Sequence, residues 1–272
     1  MASMHVLYDD EINNYQATPV ASAEVATYPS SNLASYNYAE VYRSGSADST
    51  PVTLDVDFGE AVAISAIGLG NVNFRSTATV LLEGHSDETE WGGSPTVSET
   101  IDCGALDGYV RCLYKQFTES SLRYWRLTIT DDGNPDAFLE IGRMILGTHV
   151  EMYDNFDQTN AKNLSHNNIL HRTETNQVYS YERDWAWEFN LSWKNAFTTT
   201  LNQLRSLNFS VKGSYAPFFL VLDPDPAGDG SEPSEVYYVR INGRLSNSKI
   251  KFDRFTLGQS FIEETVGVIA PR

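Results

Sequence analysis

Two short stretches hold residue types that could bind a sugar. "SYNYAEVYR" (35–43) supplies Tyr36, Tyr38 and Tyr42, and "NVNFRST" (71–77) supplies Asn73, Phe74 and Arg75. Sugars are held by flat aromatic faces against C–H groups, with amide or guanidinium groups to satisfy the hydroxyls, and these six residues offer both. The spacing of 36, 38 and 42 fits a buried aromatic wall equally well, since tyrosine is buried on average. Both readings stand on sequence.

Catalytic chemistry finds less to work with. His5, His85, His149, His166 and His171 form no H-E-x-x-H or other zinc spacing, and His166 and His171 have no nearby cysteine or carboxylate cluster to complete a site. No G-x-S-x-G elbow, Walker loop or G-x-G-x-x-G turn is present. "DPDPAGDGSE" (223–232) has the composition of a calcium loop without its register, so it reads as a solvated loop. Carboxylates are numerous enough that a glycosidase pair remains a minor alternative. The expectation is a non-enzyme with no catalytic residues, metal site or cofactor.

The two cysteines lie in "IDCGALDGYVRCLY". With Asp107-Gly108 as a two-residue hairpin turn, Cys103 faces Cys112 in a non-hydrogen-bonded pair, which permits a bridge under oxidising conditions. Two buried thiols packed as small hydrophobes are the alternative in a reducing compartment.

Charge divides the chain. Residues 1–148 carry 7 Lys+Arg against 21 Asp+Glu, a net −14, whereas residues 149–272 carry 12 against 15, a net −3. So negative a surface repels phosphate backbones and anionic headgroups, which argues against nucleic acid and against membrane surfaces as partners. No stretch reads as a leader peptide or a membrane-inserting span. The sequons at Asn163, Asn190 and Asn208 read as chance.

The elements that would carry these residues are strands. "TPVTLDVDFGE" (50–60) sets Val52, Leu54, Val56 and Phe58 opposite Thr53, Asp55 and Asp57, and "YWRLTIT" sets Trp125, Leu127 and Ile129 opposite Arg126 and Thr128. "AISAIGLGNVNF" and "ATVLLEGHS" add short strands. Strands of this size, separated by Gly, Asn and Pro turns with no helical period between them, predict a β-sandwich. "RYWRLTITDDGNPDAFLEIGRMILG" (123–147) reads as its last hairpin, closing at Gly147.

The first half resembles the discoidin-like, or coagulation factor 5/8 type C, galactose-binding-like jelly roll. The likeness spans about residues 20–147 and rests on "YPSSNLASYNY", "VTLDVDFGEAVAISAIGLGNVNF", "ATVLLEGHSDETEW", "LRYWRLTIT" and "LEIGRMILG", in that order. It implies a ligand face built by loops at one end of the sandwich, here the loops 35–43 and 71–77, often used for sugars.

The second half reads differently. "QVYSYERDWAWEFNLSW" (177–193) alternates for seventeen residues and gives one long strand, or two joined by a bend, with Tyr179, Tyr181, Trp185, Trp187, Phe189 and Trp193 on one face. That face is either core or a ligand platform. "NAFTTTLNQLRSL" (195–207) has Phe197, Leu201 and Leu204 at helical spacing. An aromatic strand, one helix, a "PFFLVLDP" strand and returning strands resemble the ring-forming domain of distal tail and baseplate proteins of long-tailed bacteriophages, over about residues 150–265.

The resulting expectation is a mainly β chain: a galactose-binding-like sandwich over 1–148 and a β-rich, ring-forming domain over 149–272 with a helix near 195–207. The resemblance implies a non-enzymatic tail-tip component, assembled in the host cytoplasm and carried in the virion. Its implied partners are itself, as a three- or six-fold cyclic homo-oligomer, the tail tube and other tail-tip proteins, and a host surface glycan. A carbohydrate-binding, lectin-like adhesion protein is the alternative.

Overall fold

The computed structural model describes residues 3–45, 51–88, 91, 95–104, 106, 111–157, 161–166, 169–181, 185–224 and 235–265. Among them the first strands are β1 (His5–Leu7), β2 (Val20–Ala21), β3 (Tyr42–Arg43), β4 (Val52–Gly70), β5 (Thr79–His85), β6 (Val97–Ile101), β7 (Leu113–Thr130), β8 (Glu140–Ile141), β9 (Arg143–Gly147) and β10 (Val150–Glu151). There follow β11 (Ala161–His166), β12 (Ile169–Arg172), β13 (Val178–Tyr181), β14 (Trp185–Phe197), β15 (Phe218–Val221), β16 (Val236–Ile241), β17 (Ser246–Lys251) and β18 (Arg254–Glu263). Helices are α1 (Glu11–Asn14) and α2 (Thr198–Ser210). The fold is mainly β, and no helix among the described residues is long and apolar enough to cross a membrane.

The chain divides into two compact units: unit 1 is Met1–Glu151 with Phe218–Tyr237, and unit 2 is Met152–Pro217 with Tyr238–Arg272. In unit 1, β4 and β7 pair antiparallel from Val52↔Ile129 to Leu69↔Leu113, with register shifts at Asp57/Val62 and Ile64/Ala66. Such bulges bend both strands, so one long pair serves two faces of a sandwich. The first half of β4 pairs with β2, and β7 carries β5 and then β6, whereas the second half of β4 takes β9. Val52, Leu54, Val56 and Phe58 are buried against Trp125, Leu127 and Ile129, as the alternation predicts, in one cluster with Ile64, Leu69 and Met144.

The two runs flanking the 131–138 turn do not form a hairpin. β9 pairs with β4 (Ala66↔Gly147) and β8 pairs with β3, because the bend in β4 frees an edge that the buried run Met144–Leu146 fills. Gly147 is required there: a Cβ would overlap the Asp9 carbonyl oxygen. Unit 1 also runs past the expected boundary at 148, to Glu151, because β10 pairs with β1. It takes in 218–237, expected in the second half, because "FFLV" is buried along its whole length and pairs with β1 through His5↔Val221 and Leu7↔Phe219. The Asp107-Gly108 turn and most of the acidic loop 223–232 lie outside the described residues.

In unit 2, β18 pairs antiparallel with β14 and β14 with β11, while β17 and β16 pair with successive parts of β18 on its other side. The aromatic face is core only from Phe189 onward. Phe189 and Trp193 are buried, Trp185 and Trp187 are half-buried at a right angle to each other, and Tyr179 and Tyr181 are exposed. Helix α2 buries Thr200, Leu201, Leu204 and Leu207 and starts at 198, not 195. The delay follows from β14, which continues through Phe197, and from Asp154, whose carboxylate accepts from Phe197 N (2.7 Å) and Thr200 Oγ1 (2.6 Å) in the role of an N-cap.

Candidate functional site

Three segments of unit 1 meet where the resemblance put a ligand face: the run from Tyr28 to β3, residues 71–78, and the 131–140 turn. Left-handed residues shape that turn, at Gly133 (φ 80°) and Ala137 (φ 57°). Asn73 braces it. Its Nδ2 donates to the Phe138 carbonyl (3.0 Å) and to Asp136 Oδ2 (3.2 Å), and its Oδ1 accepts from Glu140 N (2.7 Å). Arg75 does the same further along, with Nε to Asp131 Oδ1 (2.8 Å), its backbone N–H to Asp131 Oδ2 (3.1 Å), and Nη2 to the Asp132 carbonyl.

The tyrosines fall mainly to the core reading. Tyr42 is fully buried and donates to the Ala23 carbonyl (2.6 Å), and burial pushes its phenol well up from its ordinary value. Tyr38 is buried with its hydroxyl 3.7 Å from Cys112 Sγ, and it packs so closely on Gly70 that no larger residue fits. Phe74 belongs to the sandwich core. Tyr36 is half-buried with its ring 5.3 Å from the guanidinium of Arg143, itself fully buried and bound to Asp10 and the Leu33 carbonyl. Tyr38, Tyr42 and Phe74 therefore present no stacking face, while Asn73 and Arg75 spend their polar groups on the turn.

What these braces position is Arg43. Its guanidinium lies 4.2 Å from the ring centre of Tyr28 and 4.7 Å from that of Phe138, so one aromatic ring flanks it from its own segment and one from the 131–140 turn. Its Nε donates to Glu140 Oε2 (2.7 Å), a contact made inevitable by the cross-strand register Arg43↔Glu140 between β3 and β8. The Arg43 side chain is 31% exposed. Its Nη1 and Nη2, and Oε1 of Glu140, have no partner among the described residues. Paired donors and an acceptor thus sit between two half-buried rings, the chemistry that vicinal hydroxyls on a flat apolar ring require. Sequence reading missed Arg43, Phe138 and Glu140. The local signal was only that Arg43 closes the tyrosine-rich stretch, and its ion-pair partner Glu140 is 97 residues away.

The shifted titratable groups lie elsewhere. In unit 1, His5 and His149 stack with ring centres 4.8 Å apart, His5 Nδ1 lies 3.3 Å from Tyr114 Oη, and His149 Nδ1 lies 2.8 Å from Ser65 Oγ. Burial and the neighbouring imidazole hold His5 down at about 4, and burial lowers His149 against the pull of Glu151 and Glu119. Cys103 and Cys112 are buried and unbridged, and burial, with Asp102 and Asp131 nearby, pushes the Cys103 thiol up to about 12. In unit 2, burial raises Glu263 to about 7 although it accepts from Trp187 N (3.1 Å) and faces Lys162. No group of three metal-ligating side chains occurs among the described residues.

No protein-family model matches the sequence, and no curated protein matches it. Among solved structures, the family 32 carbohydrate-binding module of NanJ from C. perfringens, in complex with galactose, is 14% identical, with 52% of this chain aligned to 98% of that one at a TM-score of 0.40. Chitosan-binding module 1 of a chitosanase/glucanase from Paenibacillus sp. IK-5 is 18% identical over 48% of this chain and 95% of the module, TM-score 0.38. The family 32 module of AlyQ, in complex with 4,5-unsaturated mannuronic acid, is 18% identical over 47% and 92%, TM-score 0.36.

Proposed function

We propose that the protein is a non-catalytic carbohydrate-binding protein that takes its sugar at Arg43 in unit 1. The observation that carries this reading is the guanidinium held between Tyr28 and Phe138 and tied by Nε to Glu140. A side chain fixed on three sides loses little freedom on binding, so most of what the donors left over among the described residues gain appears as affinity. Titration calorimetry against neutral, amino and acidic oligosaccharides tests it. Arg43→Ala should weaken binding by at least about tenfold, the loss expected for hydrogen bonds from a charged donor. A wild-type chain that binds none of these sugars sinks the reading.

A second reading joins the first. Ten of the thirteen exposed large apolar side chains among the described residues lie in unit 2, which points to a unit that assembles. On this reading the chain is a structural component of a phage tail tip, a cyclic homo-oligomer at the end of the tail tube, with unit 1 turned to a host surface glycan. Sedimentation of the intact protein tests it: a monomer at every concentration, alone and beside tail-tube protein, would remove it.

A further inference from the structure

We infer that the ribbon β12–β13 is the arm by which one copy of this chain holds the β17 edge of the next, which is unpaired among the described residues, an inference that rests on the assembly reading above. Among the described residues the ribbon pairs only with itself, from Ile169↔Tyr181 to Arg172↔Val178, and is closed by the turn in which Thr173 N donates to the Gln177 carbonyl (2.9 Å). Leu170 is 68% exposed, Val178 53%, Tyr179 55% and Tyr181 62%. A two-stranded ribbon is marginal in water unless something packs on it, and these side chains are the surface such packing would use.

The occupant is a second copy for two reasons. The first is geometric: β11, which leads into the ribbon, is one edge of the unit 2 strands, and β17 lies on the far side of β18 from β14. Both parts of a head-to-tail joint are therefore present in every copy, and a joint of that kind closes into a ring or runs into a filament. Every residue of β17 is exposed, Ile250 by 54%, and Phe252 just beyond it by 91%. The second reason is charge. Unit 2 has 12 Lys+Arg against 9 Asp+Glu, whereas unit 1 has 7 against 27, so a contact between two copies of unit 2 meets far less like-charge repulsion than one between two copies of unit 1. Lys249 and Lys251 guard the β17 edge against indiscriminate pairing, and the ribbon brings exposed Glu174 to meet them.

Sedimentation velocity and native mass spectrometry of the full chain test the arm. Wild type should form a discrete oligomer, and Leu170→Asp with Tyr179→Asp should reduce it to monomer at unchanged melting temperature, since both residues are exposed. Val20→Asp, an equally exposed apolar site in unit 1, should leave the oligomer intact. As a second measurement, Tyr179→Cys and Ile250→Cys chains are mixed and treated with a bis-maleimide, the native cysteines being buried. Crosslinks should join the unlike chains. An oligomer that survives the double substitution, or crosslinks between like chains alone, overturns the arm and leaves assembly standing. A wild-type monomer overturns both.

Discussion

Unit 1 has a net charge of −20 and three exposed large apolar side chains, whereas unit 2 has +3 and ten, counting side chains among the described residues. The two units also spend their aromatic residues differently. Unit 1 buries Trp125, Tyr38 and Tyr42 and leaves a small polar site where Arg43 meets two rings, while unit 2 buries Trp193 and Phe189 but leaves Tyr179, Tyr181 and Phe252 in solvent. Charge repulsion keeps surfaces like that of unit 1 apart, so the exposed apolar side chains of unit 2, whose net charge is small, are the ones freer to touch their own kind. On the proposed reading, one unit meets a polar ligand and the other meets protein.

The comparison breaks most readily at the cores. Trp125→Ala should destabilise unit 1 by about 3–5 kcal/mol, and Trp193→Ala should do the same to unit 2, as for other large-to-small changes at fully buried aromatics. Denaturant unfolding followed by circular dichroism should show each substitution moving its own transition. If both move a single shared transition, the units are not independent in stability.

Acid should separate the units by sign. The folded value of His5, about 4, lies below its unfolded value of 6.5, so the unfolded chain binds more protons between these limits. Unit 1 therefore loses stability as pH falls from 6.5 to 4, on the order of 2 kcal/mol. Glu263 is raised from 4.5 to about 7, so the folded state holds the extra proton there and unit 2 loses stability as pH rises through that range. Between pH 4.5 and 6.5, His5→Phe should remove a contribution that rises with pH from unit 1, and Glu263→Gln should remove one that falls with pH from unit 2. Melting curves whose pH dependence ignores both substitutions would contradict the assignment.

Salt gives the smallest expected effect. Screening acts on like charges, so unit 1 should gain a few degrees in melting temperature between low and high ionic strength, while unit 2 should hardly respond. An equal response from both would mean that the charge difference has no energetic weight.

Much of the fold was legible where it is local. The period-two pattern over 52–58 and 125–129 gave the sandwich faces, and Leu201 and Leu204 gave the helix. What was not legible is which strand lies beside which. "FLEIGRMILG" looked like a hairpin partner of the run before it, yet the bulges of β4 draw β9 elsewhere. "FFLV" read as part of the second half, although β1, more than 200 residues earlier, pairs with it. The site suffered in the same way. Alternation cannot tell a stacking tyrosine from a core one, and Arg43 becomes special only through its register with Glu140.

The most direct test of the division of labour is sugar binding by the intact chain with Arg43 intact and removed. Wild type should bind at least one oligosaccharide, and Arg43→Ala should weaken that binding by at least about tenfold while shifting the melting temperature little, since partly exposed ion pairs contribute about 0–1 kcal/mol. Binding that is unchanged in Arg43→Ala would contradict the assignment of the ligand to this site.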